Sequence, residues 1–166
     1  MWTGSGTTSG LRLANNIVRY ATLWLWGGFV YYCIELAYRG FSHPSMFVTG
    51  GVAFLCLGII NNYLPWRMNF LLQCVIGGIV ITVLELAAGL IVNVWLGLDI
   101  WDYSDLRFNL WGQIVPHFTL AWMALSAVGL WLDDFLRWKI FGECEPTYTL
   151  SFWGRVDGKP SGGTGL

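Results

Sequence analysis

The fold class this sequence predicts is all-α, an integral membrane bundle of four transmembrane helices. Three observations predict it: a composition too apolar for water, four nearly uncharged stretches of spanning length, and aromatic residues gathered near the ends of those stretches. Hydrophobic residues make up 55% of the 166 positions and charged residues 11%, with a mean hydropathy of +0.55. So little polar surface does not coat a water-soluble globule of this size, whereas lipid demands none. The eleven tryptophans suit a chain anchored at two bilayer interfaces, where an indole keeps its ring in hydrocarbon and its N–H among headgroups.

A hydrocarbon core about 30 Å thick is crossed by roughly 20 apolar helical residues. The first candidate span is 20–38, interrupted by Glu35; the second, 46–64, carries no charge. The third is 69–98, long and broken only by Glu85, and the fourth is 110–132. Unpaired backbone groups are so costly in lipid that each stretch must be helical along its exposed length. The chain then divides into an N-terminal cytoplasmic segment 1–16, a transmembrane domain 17–141, and a polar, partly disordered cytoplasmic tail 142–166 rich in Gly, Pro and Ser. The first ten residues lack the charged head and apolar run of a cleavable signal, so the first span is expected to serve as an uncleaved anchor.

With four spans, Arg12, Arg19, Arg67, Arg137, Lys139, Arg155 and Lys159 share one side of the membrane, and Arg39 and Arg107 lie on the other. That bias places both termini in the cytoplasm of a multi-pass inner-membrane protein. Trp24, Trp26, Trp66 and Trp138 near the inner ends, and Trp95 and Trp101 near the outer ones, sit where interfacial belts would. Segment 23–40 also matches 73–90 at a constant offset of fifty, pairing both glycines and Glu35-Leu36-Ala37 with Glu85-Leu86-Ala87. A parallel duplication of a two-helix unit would produce this pattern, as would the common use of small residues where membrane helices touch.

Several classes of chemistry are excluded. No basic run could follow a nucleic-acid backbone. The single Gly-Lys, at 158–159, is followed by Pro160 and lacks phosphate-loop spacing, and no hydrolase signature occurs. Cys33, Cys56, Cys74 and Cys144 form no CxxC pair. No enzyme activity, cofactor or metal site is therefore expected.

Ionisable residues inside a span are expensive, which singles out Glu35 and Glu85. Arg39 follows Glu35 at the spacing that brings opposite charges onto one helical face, with His43 near the same end; a structural pair and a functional one are equally consistent with that spacing. Glu85 has no charged neighbour within a turn, so Gln113 and His117, four apart on the fourth span around a possible kink at Pro116, are its expected partners. Glu35, Arg39, His43, Asn93, Asp102, Asn109, Gln113 and His117 all fall in the outer half or outer loops, whereas Asn61, Asn62 and Gln73 are the polar residues of the inner half. That asymmetry predicts a polar vestibule open to the outside.

Two stretches carry a family resemblance. In 35–51 the residues are Glu35, Arg39, Ser42, His43, Met46, Gly50 and Gly51; in 97–114 they are Trp101, Asp102, Tyr103, Asn109 and Gln113. Over about 20–140 the chain resembles the small bacterial membrane proteins grouped as the putative ABC-transporter type IV family. Arg107 departs from the pattern, standing where a small apolar residue or proline is expected. The resemblance implies a multi-spanning inner-membrane protein with a role in transport, and a separate ATPase subunit to drive it.

Three functions compete. The first is a permease-like subunit, homo-oligomeric or complexed with other subunits, moving a small solute or ion along a path drawn from Glu35, Arg39, His43, Glu85, Asn93, Asp102, Tyr103, Asn109, Gln113 and His117. The second is a non-catalytic assembly or regulatory module acting through a partner; its sign would be polar groups paired with one another and no continuous cavity. The third, an enzyme, would need titratable groups converging on a wet pocket.

Overall fold

A computed structural model describes residues 5–63, 68–146, 148 and 150, with side chains described except at 5–12 and 61–63. Trp66, Arg67, Arg155, Gly158 and Lys159, and the side chains of Arg12, Asn61 and Asn62, lie outside the described residues. Four α-helices and no strands occur among the described residues: α1 (Ser5–Arg39), α2 (Pro44–Tyr63), α3 (Phe70–Gly89) and α4 (Pro116–Phe141). Residues 5–16, expected as a separate segment, are the first turns of α1.

Local chemistry sets the boundaries. Pro44 opens α2 at the position where a helix has no use for an amide hydrogen. Asn69 caps α3 by accepting from the Leu71 amide at 2.8 Å. The fourth helix begins six residues later than the uncharged stretch does, because 110–115 is a tight turn closed by the Leu110–Ile114 bridge. Gln113 is therefore a loop residue, and Pro116 starts the helix rather than kinking it. At its far end α4 runs past the expected limit to Phe141, where Gly142 takes φ 69° and closes the helix on the Arg137 carbonyl. Beyond Gly89 the third helix widens into a π-helical segment, Leu90–Trp95, whose looser pitch shows in the Leu96 amide reaching back five residues to the Ile91 carbonyl.

Packing runs mainly within two hairpins, α1 on α2 and α3 on α4. The paired glycines make both possible: Gly27 admits Phe54, Gly28 admits Phe47, Gly77 admits Ser126 and Gly78 admits Met123. The two glycine pairs are those aligned at the offset of fifty. Between the hairpins a core forms from Ala53, Leu57, Cys74, Ile81 and Leu130.

The distribution of polarity is the reverse of a water-soluble bundle. Phe29, Val52, Ile79, Val83, Leu120 and Val128 are exposed, while Gln73, Glu85, Asn93, Asp133, Asp134 and Arg137 are buried. Water would penalise both halves of that arrangement; hydrocarbon rewards both. Two helical stretches are long and apolar enough to cross a membrane, Phe70–Trp95 and Pro116–Phe141, where four were expected. Gly, Thr, Asn and aromatic residues dilute α1, and the apolar part of α2, Pro44–Ile60, is shorter.

Candidate functional site

At its C-terminal end α1 finishes in a clamp. Glu35 receives the Arg39 guanidinium at 2.5 Å on one carboxylate oxygen and the Ser42 hydroxyl at 2.5 Å on the other. Arg39 then donates to the Ile100 carbonyl at 3.3 Å and lies over the Phe41 ring, so the pair that spacing predicted ties α1 to a loop sixty-one residues away. His43 does different work. Its Nδ1 accepts from the Ser45 amide at 3.2 Å, which makes it the cap of α2.

The loop 97–114 is built by side chains bonding to backbone. Asn93 donates to the Trp101 carbonyl at 2.9 Å and to Gln113 Oε1 at 2.8 Å, and accepts from the Ile100 amide at 2.8 Å. Gly89 leaves the space in which Gln113 approaches α3. Asn109 gathers the Ser104 and Leu106 carbonyls and the Gly112 amide. Asp102 accepts from the amide and hydroxyl of Ser104, and these two bonds hold its carboxyl below the usual range. Tyr103 packs on Phe118, and burial, reinforced by the nearby Glu85 charge, pushes its hydroxyl well above the ordinary tyrosine value. Trp101, expected in an interfacial belt, is buried and donates to the Gln113 carbonyl at 3.1 Å.

Glu85 does not meet the partners its neighbourhood in sequence suggested. Gln113 is committed to Asn93, and His117 is exposed on the first turn of α4 against Phe118. The contact instead comes from Trp122, whose indole N–H donates to Glu85 at 2.6 Å while its ring stacks on Tyr31 of α1 at 5.7 Å. One carboxylate thus joins α3 to α4 and, through the indole, to α1.

A second charged cluster occupies the opposite end of the bundle, the half for which Asn61, Asn62 and Gln73 were the polar residues expected. Asp133 and Arg137 pair at 2.5 Å with almost no exposed side-chain surface. Gly58 of α2 lies so close that a Cβ there would come within 2.7 Å of both partners. Arg137 also lies 3.9 Å from Glu143, which pairs with Arg19 of α1. Tyr148 donates to Asp134 at 2.7 Å, packs against Phe70 with its ring tilted, and has its hydroxyl pushed upward by burial and by that bond. The signal for this cluster was present: Asp133 and Arg137 share the spacing of Glu35 and Arg39. Ending the span at 132 had left them just beyond its end.

Two hollows adjoin these clusters. One, about 80 Å³, lies between the hairpins against Gly27, Tyr31, Phe54, Ile81 and Trp122. The other, about 440 Å³, lies between the loop and the start of α4. Both are lined by apolar side chains rather than by the polar set.

A helical bundle that turns its aliphatic residues outward and closes ion pairs inside defines a helical membrane protein. The chain belongs to the putative ABC-transporter type IV family, whose sequence profile matches residues 19–149. No curated protein and no solved structure matches it.

Proposed function

We infer that the chain is a four-span, non-conducting subunit of a transporter-type complex in the cytoplasmic membrane, with both termini inside and a separate ATPase among its partners. The observation that carries this reading is that the outer polar residues are taken up by one another: Glu35 by Arg39 and Ser42, Asn93 by Gln113 and the loop backbone, Asn109 by three backbone groups, and His43 by its own helix. A solute path needs polar groups left over for the solute; these instead fix helix ends and a loop. The apolar lining of both hollows supports the same conclusion. The outward aliphatic faces of α1 and α2, among them Leu25, Phe29, Val48 and Ile59, support membrane contact by all four helices, and the aligned glycines support a duplicated hairpin.

Glu85 favours the second reading, a permease-like subunit with a polar path, because it is an ionisable group 4% exposed inside α3, its carboxylate accepting the Trp122 indole N–H. Glu85→Gln decides between them. The amide preserves size and accepts the indole bond but carries no charge. An accessory subunit bearing it still co-purifies with a stoichiometric ATPase-containing complex that transports at the normal rate. An assembled complex that transports nothing would sink the accessory reading and restore the path.

A further inference from the structure

Glu85 is 4% exposed and lies within Phe70–Trp95, a stretch long and apolar enough to cross a membrane. Three elements bring polar or titratable groups to it. Trp122 of α4 donates its indole N–H to Oε2 at 2.6 Å. Tyr31, Glu35 and Arg39 of α1, and Tyr103 of the loop, lie near enough for their charges and its own to act on one another. His117, also on α4, is exposed against Phe118. One turn back along α3, Ile81 packs with Ala53 and Leu57 of α2, so the other side of the carboxyl is an apolar core. Glu35 and Arg39 already match each other at 2.5 Å. An ionised Glu85 therefore gives this group a net negative charge inside the bundle, and a protonated one leaves it neutral. Burial favours the acid, whereas the indole N–H and the Arg39 charge favour the carboxylate, and the two forms are balanced against each other.

We propose that Glu85 is a reversible proton-binding site, and that gain or loss of its proton is passed to α1 through the Trp122 indole. The indole is the route because its N–H holds the carboxyl while its ring stacks on Tyr31 at 5.7 Å. A hydrogen bond to a carboxylate is stronger than one to a neutral acid, so a change of charge at Oε2 resets how firmly the ring is held against α1. Proton binding at equilibrium is separate from the passage of a solute, and the site stands whether the subunit conducts or not.

The test is infrared spectroscopy of the full chain over a pH series, in a detergent without ester groups, where the carbonyl stretch of a protonated carboxyl stands apart from the bands of ionised ones. A carbonyl band is expected that disappears in one transition as the pH rises, is missing from Glu85→Gln, and returns displaced in Glu85→Asp. Trp122→Phe takes away a donor that favours the carboxylate and should move the transition to higher pH. In protein labelled with fluorotryptophan, the fluorine resonance assigned to Trp122 by its loss in that variant should shift over the same pH interval and stay still in Glu85→Gln. A Glu85 band that persists at every pH at which the protein is folded would make the residue a permanently neutral packing element. No Glu85 band at any such pH would make it a permanently ionised one. Either result overturns the proposal, as does a Trp122 resonance that does not respond to the transition.

Discussion

Removing one member of the Asp133–Arg137 pair is the perturbation whose size the structure fixes best. The two side chains are 0% and 3% exposed, their contact is 2.5 Å, and the Gly58 backbone closes over them. Asp133→Asn takes the 2.5 Å counter-charge from a buried guanidinium and leaves it Glu143 at 3.9 Å, which costs about 3 kcal/mol, whereas an exposed pair is worth about 1 kcal/mol or less. Substituting both partners, Asp133→Leu with Arg137→Met, removes the stranded charge and should recover most of the loss. Gly58→Ala tests the same contact from α2, since the added methyl has to displace the pair. The assay is thermal unfolding in detergent: the single variants should lose on the order of 10 °C, and the double variant should lie well above either. Single variants within about 1 kcal/mol of the parent, or strictly additive losses, would show that the pair is hydrated and that the tight inner packing is mistaken.

At the end of α1, exchanging Glu35 and Arg39 should recover part of the stability either single neutralisation loses, and a double-mutant cycle without coupling would contradict the 2.5 Å contact. Asp102 has a depressed carboxyl, so its contribution to loop order is present above the ordinary carboxylate range, near pH 4, and is lost as pH falls through the lower folded value. Ser104→Ala should bring the Asp102 titration, followed by carboxyl NMR, back toward that ordinary range; an unchanged midpoint would argue against the turn. For topology, in a cysteine-free background an impermeant thiol reagent on whole cells should label Ser104→Cys and spare Gly158→Cys. The opposite pattern would invert the orientation.

Composition and span length were enough to establish an all-helical membrane protein, because hydrocarbon constrains every residue it touches, and that constraint is written continuously along the chain. The Glu35–Arg39 pair was equally legible, since four residues along one helix is a local distance. Only tertiary structure decided what Glu85 meets: Trp122 lies thirty-seven residues away, and nothing in an apolar run distinguishes that indole from the other tryptophans. The same holds for Gln113, which local spacing placed on a helix with His117 but which a loop carries to Asn93 of α3. The Asp133–Arg137 cluster lies between these cases, its pairing visible at i and i+4 and its burial decided by Gly58 of another helix. Periodicity reports which residues share a face; whether that face meets lipid, water or a neighbouring glycine is a property of the packed bundle.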